Sequence, residues 1–164
     1  NYLDLMGNGR AYRVPPYQRD YSWDEEQWED LWLDIDALRD APDKRHYLGA
    51  LVVEAESDRL FRIIDGQQRL ATLALLAIAV IRALEGLADS GTDADANRER
   101  ARALRARFVG DKDPVSLTEQ SKLTLNETDL SVFQDHLVQG RVPHGWQRLP
   151  RSNQLLVRAY QYFE

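Results

Sequence analysis

The stretch Ile63-Ile64-Asp65-Gly66-Gln67-Gln68-Arg69-Leu70 decides the fold, because the chain changes character on either side of it. Upstream, Arg59 to Ile64 is rich in β-branched and aromatic residues, which predicts a strand. Downstream, Leu70 to Leu84 is almost wholly apolar and dominated by Leu and Ala, which predicts a buried helix. The polar turn between them therefore sits at the mouth of a core, with its polar groups outward. Asp65 is a favoured N-cap residue, and Gln68 three positions later completes a capping-box pattern. Gly66 then permits a tight exit from the strand. Arg69 fits that account poorly, since a cation in the first helical turn opposes the helix dipole. An anion bound at the helix start would reconcile the two, and a helix opening after a glycine turn is a ready phosphate site. On the residues alone, capping and phosphate binding both stay open.

Fifty positions before Arg69 lies a second polar segment. Ala11 to Val14 reads as a short strand stopped by Pro15-Pro16, and the second proline keeps Pro15 extended, so a rigid loop follows. Tyr17, Gln18, Arg19 and Tyr21 then offer two phenols, an amide and a guanidinium within five positions. That mixture can stack a base, clamp a phosphate and read a polar edge. It equally suits a loop whose aromatics plug the core and whose arginine pairs with a surface carboxylate. Ser22-Trp23-Asp24-Glu25 is a capping box, which predicts a helix from about Trp23. Trp28, Leu31, Trp32, Ile35 and Leu38 form its apolar stripe. Its many carboxylates read as a solvated face.

Residues 40–45 read as a loop. The run Leu48 to Val53 predicts a central strand buried on both faces, with Gly49 marking a close backbone approach or a bulge. After a turn at Glu56-Ser57-Asp58, Arg59 to Ile64 returns antiparallel. Leu84 to Ala96 loses the apolar pattern and reads as a loop. Asn97 to Phe108 has strong helical propensity, and Arg98, Arg102 and Arg105 share a face there, a solvated surface or a nucleic-acid contact. Lys122 to Leu125 alternates like a short strand, and Leu130, Phe133, His136 and Leu137 predict a helix ending near Gly140. Ser152 is a candidate N-cap for a last helix whose apolar stripe, cut at Glu164, is expected to pack on residues beyond the chain.

Composition bounds the function. At 164 residues the chain is long enough to bury roughly 70% of its unfolded surface. It has no cysteine, which excludes disulfides, thiol catalysis and cysteine-ligated zinc. A net charge of −6 argues against a broad electrostatic grip on DNA while permitting a local basic patch. The apolar Leu70–Leu84 segment is shorter than the ~20 residues a membrane span needs and carries Arg82, so a core helix and no membrane partner are expected. No signal peptide is expected from the residues at Asn1. His46, His136 and His144 are scattered without metal spacing, and His46 reads as structural. No Walker loop, Rossmann fingerprint, zinc motif or HNH cluster is present, so a metal-dependent nuclease centre is not expected in this segment.

The two polar segments together resemble the signatures of GmrSD-type (type IV, modification-dependent) restriction endonuclease N-terminal domains, within the ParB/sulfiredoxin-like superfamily. One match is Asp65-Gly66-Gln67-Gln68-Arg69-Leu70 followed by Thr72-Leu73; the other is Pro15, Tyr17, Gln18, Arg19, Tyr21 and Trp23 at the family's spacing. Ala71 departs from the usual threonine. The resemblance implies an α/β (α+β) fold with a small mixed sheet and packed helices, more helical towards the C-terminus. Residues 1–88 would be the nucleotide-binding core and 89–164 a helical extension of the same domain. It further implies a cytoplasmic, nucleotide-hydrolysing module that regulates DNA cleavage by a nuclease portion outside this chain. Expected partners are a nucleoside triphosphate, modified DNA and a C-terminal nuclease domain or subunit, often HNH-type. Catalysis would fall to Asp65, Gln67, Gln68 and Arg69, with Asp65 as ligand to Mg²⁺. Tyr17, Gln18, Arg19, Gly66, Gln67 and Arg69 would bind the nucleotide, and Tyr17 or Tyr21 would stack a base. The competing expectation is a DNA-modification sensor or protein-docking module without turnover.

Overall fold

A computed structural model describes residues 2–39, 47–112 and 119–164. The expected α/β architecture holds: a small mixed sheet is packed by helices that dominate the C-terminal half. The elements run α1 (Tyr2–Met6), β1 (Ala11–Arg13), α2 (Glu25–Arg39), β2 (Val52–Ala55), β3 (Leu60–Asp65), α3 (Gln67–Asp89) and α4 (Ala94–Leu104). A π-helical turn, Arg105–Val109, leads into the ribbon β4 (Gly110–Lys112) and β5 (Glu119–Ser121). Then come β6 (Leu123–Thr124), α5 (Glu127–Ser131) and α6 (Arg151–Phe163).

The four-stranded sheet has the order β2-β3-β1-β6. β1 is central and parallel to both neighbours, with Tyr12 opposite Phe61 and Leu123, while β2 lies antiparallel on β3. Alternation along the strands sends Tyr12, Ile63 and Leu123 into the core. The other face is wet and charged, and Arg62 there pairs with Glu54 and Glu56.

β2 corrects the sequence reading. It is an edge strand with all four residues exposed, because the apolar run before it peels away from the sheet and lines cavities instead. Apolar runs predict burial, but strand order decides how many faces are covered.

α3 passes through the middle of the fold and packs against α4 and α6. It is longer than expected, reaching Asp89, so the predicted loop from Leu84 shrinks to the turn before α4. At 23 residues it is long and apolar enough to cross a membrane by length and composition. Here Leu75, Ile78 and Ile81 are fully buried in the protein core. α6 is N-capped by Pro150, not Ser152, and its stripe Leu155, Leu156, Ala159 and Tyr160 packs within the chain, largely on α3. The predicted helix ending near Gly140 is present as α5 continued by a π turn and a 3-10 turn, and Gly140 stops it in the left-handed region. The readings at 40–45 and His46 fall outside the described residues.

Candidate phosphate-binding site

The turn after β3 is not a capping box. Asp65 ends the strand, and Gly66, at φ 95°, is the N-cap of α3 with no side-chain cap hydrogen bond. A side chain at position 66 would be strained by that φ, and its Cβ would meet Leu51 Cδ1 at 2.7 Å. The first intrahelical bond runs from the Leu70 N–H to the Gly66 carbonyl at 3.1 Å, so the amides just before Leu70 start the helix without a capping side chain.

Gln68 is instead turned across to the upstream loop. It accepts from the Ser22 N–H at 2.8 Å and donates to the Asp20 carbonyl at 3.1 Å. Gln67 donates to the Arg19 carbonyl at 3.1 Å, and Gln18 donates back to the Ile64 carbonyl at 2.8 Å. Both glutamines of the turn are buried. The two sequence signatures are thus stitched together by their own amides. Gln68 has one donor and one acceptor position engaged, so it positions the upstream loop while also lining the cavity described below.

The Ser22 capping box also shifts. Gln27 accepts from the Asp24 N–H at 3.0 Å and Trp28 N–H bonds the Asp24 carbonyl, so the cap is Asp24, two residues after Ser22, and α2 starts at Glu25. Ser22 was unavailable because Gln68 holds its N–H.

The two tyrosines part ways. Tyr17 is 70% exposed. Tyr21 is 4% exposed, and its ring belongs to the core, which removes it as a base-stacking surface. Thr72 donates to the Gln68 carbonyl at 2.9 Å, so the 2.6 Å Tyr21–Thr72 contact has the phenol as donor. Trp28 Nε1–H donates to the same phenol oxygen at 2.8 Å. Burial pushes the Tyr21 phenol well above its usual pKa, so it stays protonated.

A cavity of about 120 Å³ lies between Gln18, Arg19 and Trp23 on one side and Asp65 to Arg69 on the other. Arg69 donates to the Ala50 carbonyl at 3.2 Å, and Gly49, at φ 86°, lets the backbone pass so close that a Cβ there would sit 2.7 Å from Nη2. Gly49 is therefore the close approach that the sequence suggested. Among the described residues, the side chains of Arg19 and Asp65 make no hydrogen bond or ion pair. Two cations, a carboxylate and a helix N-terminus thus border one small polar cavity, an arrangement suited to a polyanion.

Three site-supporting residues escaped the sequence reading. Asn126, the N-cap of α5, donates to Asp20 Oδ1 at 2.8 Å and to the Gln18 carbonyl at 3.3 Å. Asp129 accepts from the Tyr21 N–H at 2.7 Å and from Asn153 Nδ2 at 2.8 Å. Asn126 followed by Glu127 and Asp129 is a legible N-cap signal, but nothing local tells that it also grips a loop over a hundred positions away. Of the arginines on one α4 face, Arg98 pairs with Asp89 and Asp95, and Arg105 bonds the Val138 carbonyl.

For Mg²⁺, Asp65 is the carboxylate lining the cavity, and no cluster of three metal-ligating side chains occurs among the described residues. That donor set fits a magnesium shared between one carboxylate and substrate phosphates, and does not fit an all-protein metal cage.

No curated protein sequence matches the chain. The family model described as GmrSD restriction endonuclease, N-terminal domain, matches residues 2–164. With both signatures joined in one site and the match spanning the chain, the protein belongs to the GmrSD restriction endonuclease N-terminal domain family.

Proposed function

We propose that the cavity between Arg19 and Arg69 binds the phosphates of a nucleoside triphosphate and hydrolyses it, as a regulatory step in a modification-dependent restriction endonuclease. The observation that carries this reading is the convergence of Arg19, on the upstream loop, and Arg69, in the first turn of α3, on an uncapped helix N-terminus. Phosphate oxygens would accept from the first amides of α3, while Arg19 and Arg69 neutralise charge developing on the transferred group. Bound Mg²⁺, held by Asp65 and phosphate oxygens, would add further charge neutralisation. Gln67, whose side-chain oxygen is not engaged by the Arg19 contact, would orient the attacking water. That water bonds to the γ-phosphorus as the bridging P–O bond breaks, leaving a diphosphate and inorganic phosphate. DNA and a nuclease portion are the partners that a restriction-endonuclease N-terminal domain calls for, modified DNA being the specific form we propose.

The test is phosphate release by the full-length protein and its Asp65→Ala and Arg69→Ala variants. Both variants, folded by melting, are expected to lose most turnover; wild-type rates in either would remove it from the catalytic set. The exposed Tyr17 supports a second reading, a sensor that stacks a DNA base without turnover. Thermal stabilisation by modified DNA, with none from any triphosphate plus Mg²⁺, would favour it.

A further inference from the structure

A second cavity, of about 350 Å³, adjoins the phosphate site and shares Gly66 and Arg69 with it. The rest of its wall is mainly apolar, built by Leu5, Leu51, Leu70, Leu73 and Tyr2. The volume is in the range that takes a small organic ligand, whereas 120 Å³ beside it suits phosphate groups alone. Gly66 stands at the junction without a side chain, where a Cβ would run into Leu51 and come within 3.4 Å of the Ala50 carbonyl. Arg69 is held beside the junction by its bond to Ala50.

Tyr2 closes one side of this cavity. Its ring stacks on Phe108 at 5.5 Å, and its hydroxyl is buried with no hydrogen-bond partner among the described residues. The hydroxyl is sealed away from the cavity, so Tyr2 contributes its ring to the wall. A third cavity, of about 330 Å³, also reaches Arg69, but Asp30 and Asp34 line it beside Trp23. Two carboxylates next to a triphosphate oppose its binding, and the apolar cavity carries no such penalty.

We propose that the apolar cavity is the nucleobase subsite for a nucleoside triphosphate whose phosphates occupy the Arg19–Arg69 pocket, an assignment that rests on the function proposed above. The leucines and the Tyr2 ring cover the faces of the base.

Titration of the protein with inorganic triphosphate and with each nucleoside triphosphate, all with Mg²⁺, tests it. Nucleoside triphosphates are expected to bind at least about tenfold more tightly than inorganic triphosphate. Leu5→Trp, which fills the cavity from α1, should erase that margin and leave inorganic triphosphate binding unchanged. Leu51→Ala, which strips apolar wall from a half-buried residue outside the helices and strands, should narrow the margin and keep the fold even if Leu5→Trp does not. An unchanged margin in both variants would overturn the subsite, as would nucleoside triphosphates no tighter than inorganic triphosphate; either result leaves the phosphate pocket standing. Inorganic triphosphate failing to bind the wild type would sink the phosphate reading and the subsite with it.

Discussion

Gln68 and Ser22 lie 46 positions apart and are joined at 2.8 Å, the Ser22 backbone N–H donating to the glutamine side-chain oxygen. The same amide donates to the Asp20 carbonyl, so one side chain at the start of α3 fixes the last residues of the upstream loop. Replacing Gln68 by Leu keeps the volume and leaves both backbone groups unpaired in a half-buried place. The expected cost is about 1–3 kcal/mol of stability. Because the loop carries Arg19, triphosphate affinity should fall as well. Urea unfolding read beside ligand titration checks this; a variant with wild-type stability and affinity would remove the stitch.

Gly49 and Arg69 make a similar pair, one backbone and one side chain. Gly49→Ala adds a Cβ that would sit 2.7 Å from the Arg69 guanidinium, at a φ of 86° that L-residues rarely adopt. Backbone strain costs about 1–3 kcal/mol. The guanidinium must also shift, so triphosphate affinity should drop nearly as far as in Arg69→Ala. Unchanged affinity in a destabilised Gly49→Ala would separate the strain from the site.

Tyr21 and Tyr17 should respond in opposite ways. Tyr21→Phe leaves the Trp28 indole N–H without its acceptor in the core, at a cost of about 1–3 kcal/mol. Tyr17→Ala removes an exposed ring and should change stability by less than about 0.5 kcal/mol. If nucleic acid stacks on this loop, Tyr17→Ala weakens that binding and Tyr21→Phe does so only through stability. Calorimetric melting and a fluorescence binding assay on both variants distinguish the two.

What the sequence made legible was local. The β3–turn–α3 punctuation, the short alternating strands β1 and β6, and the amphipathic α6 each follow from patterns within a dozen residues. The failures have one cause, which is tertiary competition. Ser22 looks like an N-cap, but Gln68 claims its N–H, the cap is Asp24 and the helix starts at Glu25. Leu48 to Val53 looks like a central strand, but β2 is the last strand of its sheet and its residues are exposed among the described ones. In the site itself, the residue types were readable while their division of labour was not. Nothing in the pair of glutamines tells that each would bond a different backbone group of the upstream loop. Asn126, Asp129 and Asn153 are single polar residues in unremarkable surroundings, and their meaning exists only where α5 and α6 meet the loop.

Asp129 makes that meeting pH-sensitive. Its carboxyl is buried against the Tyr21 N–H and the Asn153 amide, with no cation among those partners. Burial raises its pKa above the ordinary carboxylate value and the Asp20 carboxylate adds to the rise, while Ser152, the Tyr21 N–H and Asn153 oppose it without cancelling it. For a folded-state pKa above the unfolded one, the native state holds more protons between the two values, so stability falls as pH rises through that window. The window starts near the ordinary aspartate pKa and extends upward to the raised value. Asp129→Asn removes the titration and also turns one donor–acceptor contact into a donor–donor clash. The variant should therefore be less stable than wild type at low pH, with a flatter dependence on pH across the window. Urea unfolding at closely spaced pH values from about 4 upward measures the difference, and parallel wild-type and Asp129→Asn curves would show that this carboxyl does not titrate with folding.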